Sequence, residues 1–288
     1  MTRAALLALF ALAQAVHAQG DPTVQRLFGS GITQSEHFGW SVDVEAGPLY
    51  TLAVVGADQD RAPLGQGAAF VYRYDESTGL FAEEVRLQAV PGSGYQGRSV
   101  AVLPGPDDEP DRALVAVGSW GQGWLWRRAA GGAWAVERTF GTLGDIGLAR
   151  TAVGDEYAAV GYADSVWVVR RAAGSPMESS SWVHDAWLVS EPEGLAGAVL
   201  AVWAAPDGSV GVAVADRGQG PREVVVFRRD PDTGAWAEEA RLSAPGTGPS
   251  DYFGVDLDAA VGLDGVERVV VGAEYRPNTF PQPPGGAA

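Results

Sequence analysis

The chain has 288 residues, no cysteine and a formal net charge of −16. The acidic balance argues against nucleic acid as a partner, because nucleic-acid binding needs a basic surface. The lack of cysteine excludes thiolate catalysis and cysteine-ligated metals, and a chain of this length buries a sizeable core without disulfides.

The first residues have the features of an export signal. Arg3 precedes an apolar run, Ala4 to Ala13, that is too short to span a bilayer as a mature helix. We expect cleavage after Ala18, so that residues 1–18 are a signal peptide and the mature protein is secreted or exposed at a cell surface. A buried N-terminal helix is the alternative. No later stretch is long and apolar enough to predict a transmembrane segment.

Four short strand signals then recur with a period of about 52 residues. In the first copy they are a glycine strand (Phe38 to Val42), an apolar strand (Ala53 to Ala57), an aromatic strand (Ala69 to Tyr72) and an acidic strand (Thr78 to Leu87). The apolar strands are runs of small and β-branched residues, which is typical of strands buried on both faces. Each period therefore predicts one four-stranded sheet.

The glycine strands recur at Gly97, Gly147, Gly197 and Gly254. The predicted sheets cover 35–88, 95–141, 144–189, 194–243 and, as a partial fifth, 251–275, all within one domain, 19–275. A single four-stranded sheet cannot bury both faces, whereas sheets stacked radially can. We therefore predict an all-β fold, a β-propeller with four full blades and a partial fifth.

The two ends of the repeat region bear on ring closure. Residues 25–31 resemble the end of an acidic strand, so residues 24–28 are a candidate closing strand for the fifth blade. That blade lacks an aromatic strand, because residues 276–288 are rich in proline and glycine and are predicted to be a flexible tail. The chain forms either a five-bladed ring or an incomplete copy of a larger propeller.

The combination Phe38-Gly39, Val55-Gly56-Ala57 and Ala69 to Tyr72 resembles the FG-GAP repeat, and Phe253-Gly254 with Val271 to Ala273 is a second match. The resemblance covers roughly residues 24–275. This repeat builds the N-terminal propeller of integrin α subunits and many secreted proteins. The resemblance therefore implies an integrin-alpha-like extracellular module for cell adhesion or protein binding.

The FG-GAP resemblance also implies a calcium loop of hard oxygen ligands between the first two strands of a blade. Here only Asp207 and Asp264 keep the central Asp-Gly pair, and the earlier ligand positions are not acidic. Further carboxylates that could supply ligands instead are Asp256 and Asp258, and in the second copy Asp107, Asp108 and Asp111. The alternative is that all of these are turn residues on a solvated acidic surface.

Ligand-binding residues are expected in the loops after the apolar strands, because loops on a rigid scaffold concentrate binding residues. The candidates are Asp58, Gln59, Asp60, Trp120 and Tyr275. The ligand would be an extracellular protein or a glycan. Trp40 and Trp203, like Trp120, lie off the repeat pattern and are further candidates for a binding surface.

The tryptophans at one repeated position predict packing between blades rather than binding. These are Trp134, Trp182 and Trp236, with Phe81 in the first blade.

No catalytic residues are predicted. The sequence contains no nucleophile elbow, zinc-protease motif or phosphate-binding loop. His37 and His184 fit surface strand positions, and adjacent carboxylates such as Glu83-Glu84 point to opposite faces of a strand. A non-enzymatic binding module is the main hypothesis. The alternatives are a propeller hydrolase or lyase acting on glycans or lipids through clustered carboxylates, and a ligand-free scaffold that is a fragment of a longer surface protein.

Overall fold

A computed structural model describes most of the repeat region. The described residues are 25–31, 37–47, 49–58, 67–88, 95–106, 109, 111–119, 121–141, 145–162, 165–176, 178–189, 199–215, 223–243, 253–262 and 264–273. The expected signal peptide (1–18), the expected tail (276–288) and the candidates Gln59, Asp60, Trp120 and Tyr275 lie outside them. Within these ranges no helix has the length and apolar character needed to cross a membrane.

The described strands form four four-stranded antiparallel sheets and one two-stranded sheet, each in chain order. The first sheet is β1 (Phe38–Ala46), β2 (Thr51–Ala57), β3 (Ala68–Asp75) and β4 (Leu80–Leu87). The second is β5 (Ser99–Leu103), β6 (Leu114–Gly118), β7 (Gly123–Arg128) and β8 (Trp134–Phe140). The third is β9 (Ile146–Arg150), β10 (Glu156–Gly161), β11 (Val166–Arg171) and β12 (Val183–Leu188). A short 3-10 helix, Ser179–Ser181, lies between β11 and β12. The fourth is β13 (Val199–Ala204), β14 (Val210–Ala215), β15 (Val224–Arg229) and β16 (Trp236–Leu242), and the fifth is β17 (Phe253–Val261) and β18 (Glu267–Ala273). The prediction of an all-β fold built from several four-stranded sheets is confirmed.

The sheets pack face to face in chain order and form a propeller-like fold. One apolar cluster fills each interface between consecutive sheets, and a fifth lies on the face of the first sheet that points away from the second. The second strand of each four-stranded sheet is almost entirely buried. Small residues dominate these strands because both of their faces pack against protein.

The repeated glycines serve the turn into the inner strand. Gly39, Gly97 and Gly254 all have a positive φ, of 89°, 81° and 82°. At Gly97 an added Cβ would lie 2.2 Å from the carbonyl oxygen of Ala68, so this position also needs glycine for a close approach between two sheets. Gly147, assigned to the same repeat position, was wrongly placed. It pairs with Ala159 inside β9, whereas Gly97 precedes β5.

Residues 25–31 lie beside the first sheet. The Gln25 amide exchanges two 2.6 Å hydrogen bonds with the backbone of Phe81, and Ser30 donates to Glu83. Leu27 packs on the apolar face that the first sheet turns away from the second. The closing role of residues 24–28 in a fifth blade stays a prediction.

Candidate functional site

Asp58, the one predicted ligand-binding residue among the described residues, directly follows β2 and is only 3% exposed. Its Oδ1 lies 3.0 Å from Nδ1 of His37, at the start of β1. His37 has a φ of 49°, which is uncommon for a residue other than glycine, and the contact to Asp58 helps to hold it there. Asp58 is therefore buried and in contact with His37, and its role in ligand binding stays a prediction.

His37 in turn supports an exposed tryptophan. The ring of Trp40, which is 51% exposed, stacks on the imidazole with centroids 5.6 Å apart and planes 18° apart. The guanidinium of Arg98, from the second sheet, lies 5.7 Å from the centre of the same ring. The result is an exposed aromatic cluster where the first two sheets meet, and a role for Trp40 in a binding surface stays a prediction.

A larger aromatic cluster lies at the equivalent end of the third sheet. Trp167 and Trp187 face each other across β11 and β12, with ring centroids 5.6 Å apart and planes at 16°. Tyr162, just after β10, meets Trp187 edge-on at 5.3 Å. Phe140, at the end of β8, meets Trp167 edge-on at 5.6 Å. We call Tyr162, Trp167, Trp187 and His184 the aromatic platform.

Polar contacts fix the orientation of the platform. The indole N–H of Trp167 donates to Nδ1 of His184 at 3.0 Å, which leaves the Nε2 of a neutral imidazole as an N–H donor. Arg138 lies 5.4 Å from the centre of the Trp167 ring and donates to the carbonyl oxygen of Trp182. Burial raises the pKa of Tyr162, and Arg138 lowers it less, so the phenol stays a neutral hydrogen-bond donor.

One face of the platform is open to solvent. Trp187 is 52% exposed although one side of its ring is stacked on Trp167. A flat aromatic surface flanked by N–H and O–H donors can stack against the apolar face of a ring and bind its polar rim. This platform was not predicted from the sequence. The available signal was a tryptophan in each of two neighbouring strands, Trp167 and Trp187.

The repeated tryptophans pack between sheets as predicted. Trp134, Trp182 and Trp236 lie in or against the interface clusters. Each indole N–H donates to a carboxylate of the preceding sheet, at 2.9, 2.6 and 2.6 Å. The acceptors are Glu84, Glu137 and Asp185 respectively.

Trp203, suggested for a binding surface, was wrongly assigned. It is 4% exposed and donates to Glu267 between the fourth and fifth sheets. Gly211 makes room for it, because a Cβ there would lie 2.1 Å from the indole ring.

The carboxylates proposed for calcium are engaged in local hydrogen bonds. Asp207 accepts from the backbone N–H of Ser209, and Asp264 accepts from Val266 and from the guanidinium of Arg268. The side chain and the N–H of Ser209 hold the pKa of Asp207 below the usual range, and Arg268 and the N–H of Val266 do the same for Asp264. Asp256 and Asp258 each accept the N–H of the next residue in β17. Within the described residues no three acidic or histidine side chains form a group that could hold a metal.

The most buried charges form one cluster of ion pairs. Glu156, in the third sheet, binds Arg127, Arg150 and Arg171 at 2.6–2.7 Å, and Arg127 also binds Glu137. Burial opposes ionisation of Glu156, but the three guanidiniums prevail and lower its pKa to about 2. A carboxylate with this pKa is ionised near neutral pH and cannot act there as a general acid. A cleft of about 480 Å³ is lined by Arg127 and Glu137 of this cluster, together with Arg112, Arg128 and Glu178.

Comparison with known proteins identifies similar folds but no family. No family model matches the sequence, and no curated protein matches it. Three solved structures of low identity are similar. A functionally unknown protein from Desulfotomaculum acetoxidans has a TM-score of 0.44 at 12% identity, over 72% of this chain and 56% of that one. The alpha-L-arabinanase of Penicillium chrysogenum, complexed with arabinobiose, has a TM-score of 0.50 at 14% identity, over 82% and 75%. The Aleuria aurantia lectin, in complex with alpha-methyl-L-fucoside, has a TM-score of 0.49 at 10% identity, over 81% and 70%.

The chain thus spans little more than half the length of the first of these structures. The arabinanase likeness supports a propeller-type all-β fold with several packed sheets.

Proposed function

We propose that this chain is an extracellular, non-enzymatic binding module of FG-GAP-type blades, and that its ligand is a glycan held on the aromatic platform. The observation that carries the proposal is the half-exposed ring of Trp187, stacked on Trp167 and oriented by Tyr162 and His184. Hydrophobic burial alone does not account for Trp187, because half of its surface remains in water.

The chemistry of the platform favours a neutral sugar. A pyranose or furanose ring presents C–H groups on one face and hydroxyls around its rim. Those hydroxyls suit the imidazole N–H of His184 and the phenol of Tyr162. The sugar-bound arabinanase shows that a related scaffold holds such a ligand, although its low identity assigns no residue here.

The FG-GAP assignment is part of the same proposal. Its support is the repeated positive φ at Gly39, Gly97 and Gly254, together with the burial of the apolar strands that follow. A secreted or cell-surface location is proposed from the N-terminal export features.

The test is a screen of immobilised neutral and acidic glycans, followed by calorimetric titration of the best ligand. We expect Trp187→Ala to weaken binding by about tenfold or more, because stacking on one aromatic ring contributes roughly 1–2 kcal/mol. Val183→Ala, at an exposed site on the same strand, is the matched control and should bind like wild type. Failure of every glycan to bind, or unchanged affinity in Trp187→Ala, would refute the proposal.

A propeller hydrolase or lyase is the competing function. Incubating the bound glycan with the protein and measuring new reducing ends or unsaturated products separates the two. We expect no turnover. Turnover that is lost when an aspartate or glutamate is replaced would favour the enzyme.

A further inference from the structure

Two residues among those described have a left-handed backbone without being glycine, and both occupy the same repeat position. His37 has a φ of 49° and Tyr95 a φ of 65°, and each lies two residues before a glycine of positive φ, Gly39 or Gly97. This conformation costs energy for a residue with a side chain, and residues held in it concentrate at binding sites. The His37 side chain is 43% exposed and Tyr95 is 45% exposed. The repeat therefore holds two strained aromatic residues at the surface.

Close contacts between the first two sheets fix the loop that carries Tyr95. The next residue, Gln96, is buried and pairs in parallel with Gly67 of the first sheet. A Cβ at Gly67 would lie 2.0 Å from the carbonyl oxygen of Gln96, so the two backbones are in direct contact. The hydroxyl of Ser41, in β1, donates to the carbonyl oxygen of Gly97 at 2.8 Å. The loop is therefore held against the first sheet, beside the start of β1.

Trp40 and Arg98 complete this group of side chains. Trp40, from the first sheet, is 51% exposed although its ring stacks on the imidazole of His37. The half-buried Arg98, from the second sheet, places its guanidinium 5.7 Å from the centre of the Trp40 ring. We call His37, Trp40, Tyr95 and Arg98 the junction site. It combines a half-exposed indole with a positive charge.

His37 has the opposite polarity to His184 of the aromatic platform. A carboxylate can only accept, so Nδ1 of His37 donates to Asp58, and the Nε2 of a neutral ring is left as an acceptor. His184 instead accepts at Nδ1 from Trp167 and has its N–H at Nε2. Because Asp58 is buried against His37, its negative charge is turned away from the surface. The junction site thus presents a cationic donor, Arg98, and an imidazole acceptor beside one aromatic ring.

We propose that the junction site binds a uronic acid ring of an acidic glycan. The C–H face of the ring stacks on Trp40, its carboxylate pairs with Arg98, and one hydroxyl donates to Nε2 of His37. The guanidinium matches the planar carboxylate in shape as well as in charge. Inorganic phosphate or sulfate matches the charge of Arg98 but has no ring to stack on Trp40.

The acidity of the whole chain does not oppose this ligand. Exposed charges more than about 8 Å apart are largely screened at physiological ionic strength, so the side chains at the site decide its preference. The proposal goes beyond neutral glycan binding and does not rest on it. The junction site lies between the first and second sheets, whereas the aromatic platform is on the third.

The first test compares an acidic sugar with its neutral counterpart. Oligomers of galacturonate, glucuronate and mannuronate, and their methyl esters, are titrated calorimetrically into the full chain. Esterification removes the charge of the sugar and keeps its ring. We expect at least one acid form to bind, and its ester to bind about tenfold more weakly or worse, because a charge-assisted pair with Arg98 is lost.

The second test locates the bound uronate with variants. Arg98→Gln should lower the affinity for the acid to that for the ester, and Trp40→Ala should weaken both by about tenfold. Arg73→Gln is the matched control, because Arg73 also lies over an aromatic ring, 4.2 Å from the centre of Tyr50, and it should bind like wild type. The ratio of acid to ester affinity is measured within each variant, so it does not depend on the fraction of protein that folds.

Three results would overturn the proposal: no uronate binds, acid and ester bind equally, or Arg98→Gln keeps the wild-type ratio. Uronate binding that is lost in Trp187→Ala and kept in Trp40→Ala would place the sugar on the aromatic platform and would also overturn it. Failure of neutral glycans to bind contradicts only the platform, so the two proposals fail separately.

Discussion

Two neighbouring interfaces solve the same packing problem with different chemistry. Between the third and fourth sheets, the start of β14 carries Val210, which pairs with Arg229 and packs among apolar side chains, in an interface that also holds the ion pair of Arg229 with Asp185. Between the second and third sheets, the equivalent residue is Glu156, which pairs with Arg171 and is the centre of a buried cluster of three arginines and two glutamates. The equivalent residue of the fifth sheet is Glu267, which binds Arg228, so the fold accepts either an ionised or an apolar side chain at this position.

The difference teaches that a buried charge is tolerated here only because it is fully partnered. The side chains of Glu156 and Glu137 are each 2% exposed, and that of Arg127 is 7% exposed. Removing charges from water is costly, and the cost is offset only when every charge has close partners. Burial opposes protonation of Arg127, but Glu156 and Glu137 raise its pKa above the ordinary value. The two interfaces should thus respond differently to the same perturbations.

The largest effect is expected from removing the central charge. Glu156→Gln leaves three guanidiniums in a nearly dry interface with one carboxylate, and should cost about 3–5 kcal/mol of unfolding free energy. Val210→Ala, at the equivalent apolar position, should cost about 2 kcal/mol through lost burial and a small cavity. Urea unfolding followed by tryptophan fluorescence measures both. Equal losses in the two variants would contradict the contrast.

The second-largest effect is expected in the pH dependence of the unfolding free energy. The pKa of Glu156 is about 2 in the fold, against 4.5 for an unperturbed glutamate, so the unfolded chain binds its proton at the higher pH. The stabilisation is complete above pH 4.5 and is lost as the pH falls towards 2, by roughly 3 kcal/mol. Unfolding free energies of wild type and Glu156→Gln, compared between pH 6 and pH 3, should converge in acid. Parallel curves would rule out this role of Glu156.

A smaller effect should be common to both interfaces. Trp182→Phe and Trp236→Phe each remove one indole N–H from a nearly buried carboxylate, Glu137 or Asp185, while retaining an aromatic ring. We expect each to lose about 1–2 kcal/mol of unfolding free energy, in similar amounts. The same urea titration measures this loss. A much larger loss at one of them would show that the indole–carboxylate bond is not an equivalent feature of the two interfaces.

The smallest effect is expected from calcium. The local hydrogen bonds of Asp207 and Asp264 favour their assignment as turn residues. Thermal melts in millimolar calcium and in chelator should agree within about 1 °C, because a ligand that does not bind the native state cannot stabilise it. A melting temperature that rises by several degrees with calcium would instead support the predicted calcium loops.

Much of the fold could be read from the sequence because it repeats. The apolar runs at Ala53 to Ala57 and Val269 to Ala273 predicted strands, and those positions lie in β2 and β18. Gly147 was assigned to the wrong repeat position because Ile146-Gly147 resembles the Phe-Gly pair in sequence. The register of β9 is defined only by its pairing with β10, in which Ile146 lies opposite Val160 and Gly147 opposite Ala159.

The candidate site was less accessible to sequence reasoning. Asp58 was chosen for its loop position, but its burial beneath His37 depends on a contact between distant residues. Trp203 and Trp187 look alike in sequence. Trp203 is enclosed because Gly211 leaves space for its ring, whereas Trp187 is exposed because it lies on the outermost strand of its sheet.

The fold consists of five sheets packed in series, of which the last is two-stranded within the described residues. Amide hydrogen exchange, read residue by residue, tests this by comparing β14 with its equivalent β18. We expect the amides of β14 to be protected throughout, because it pairs with β13 and β15. In β18, paired only with β17 among the described strands, protection should be confined to the amides bonded to that strand. Uniform protection of β18, as strong as that of β14, would contradict the account.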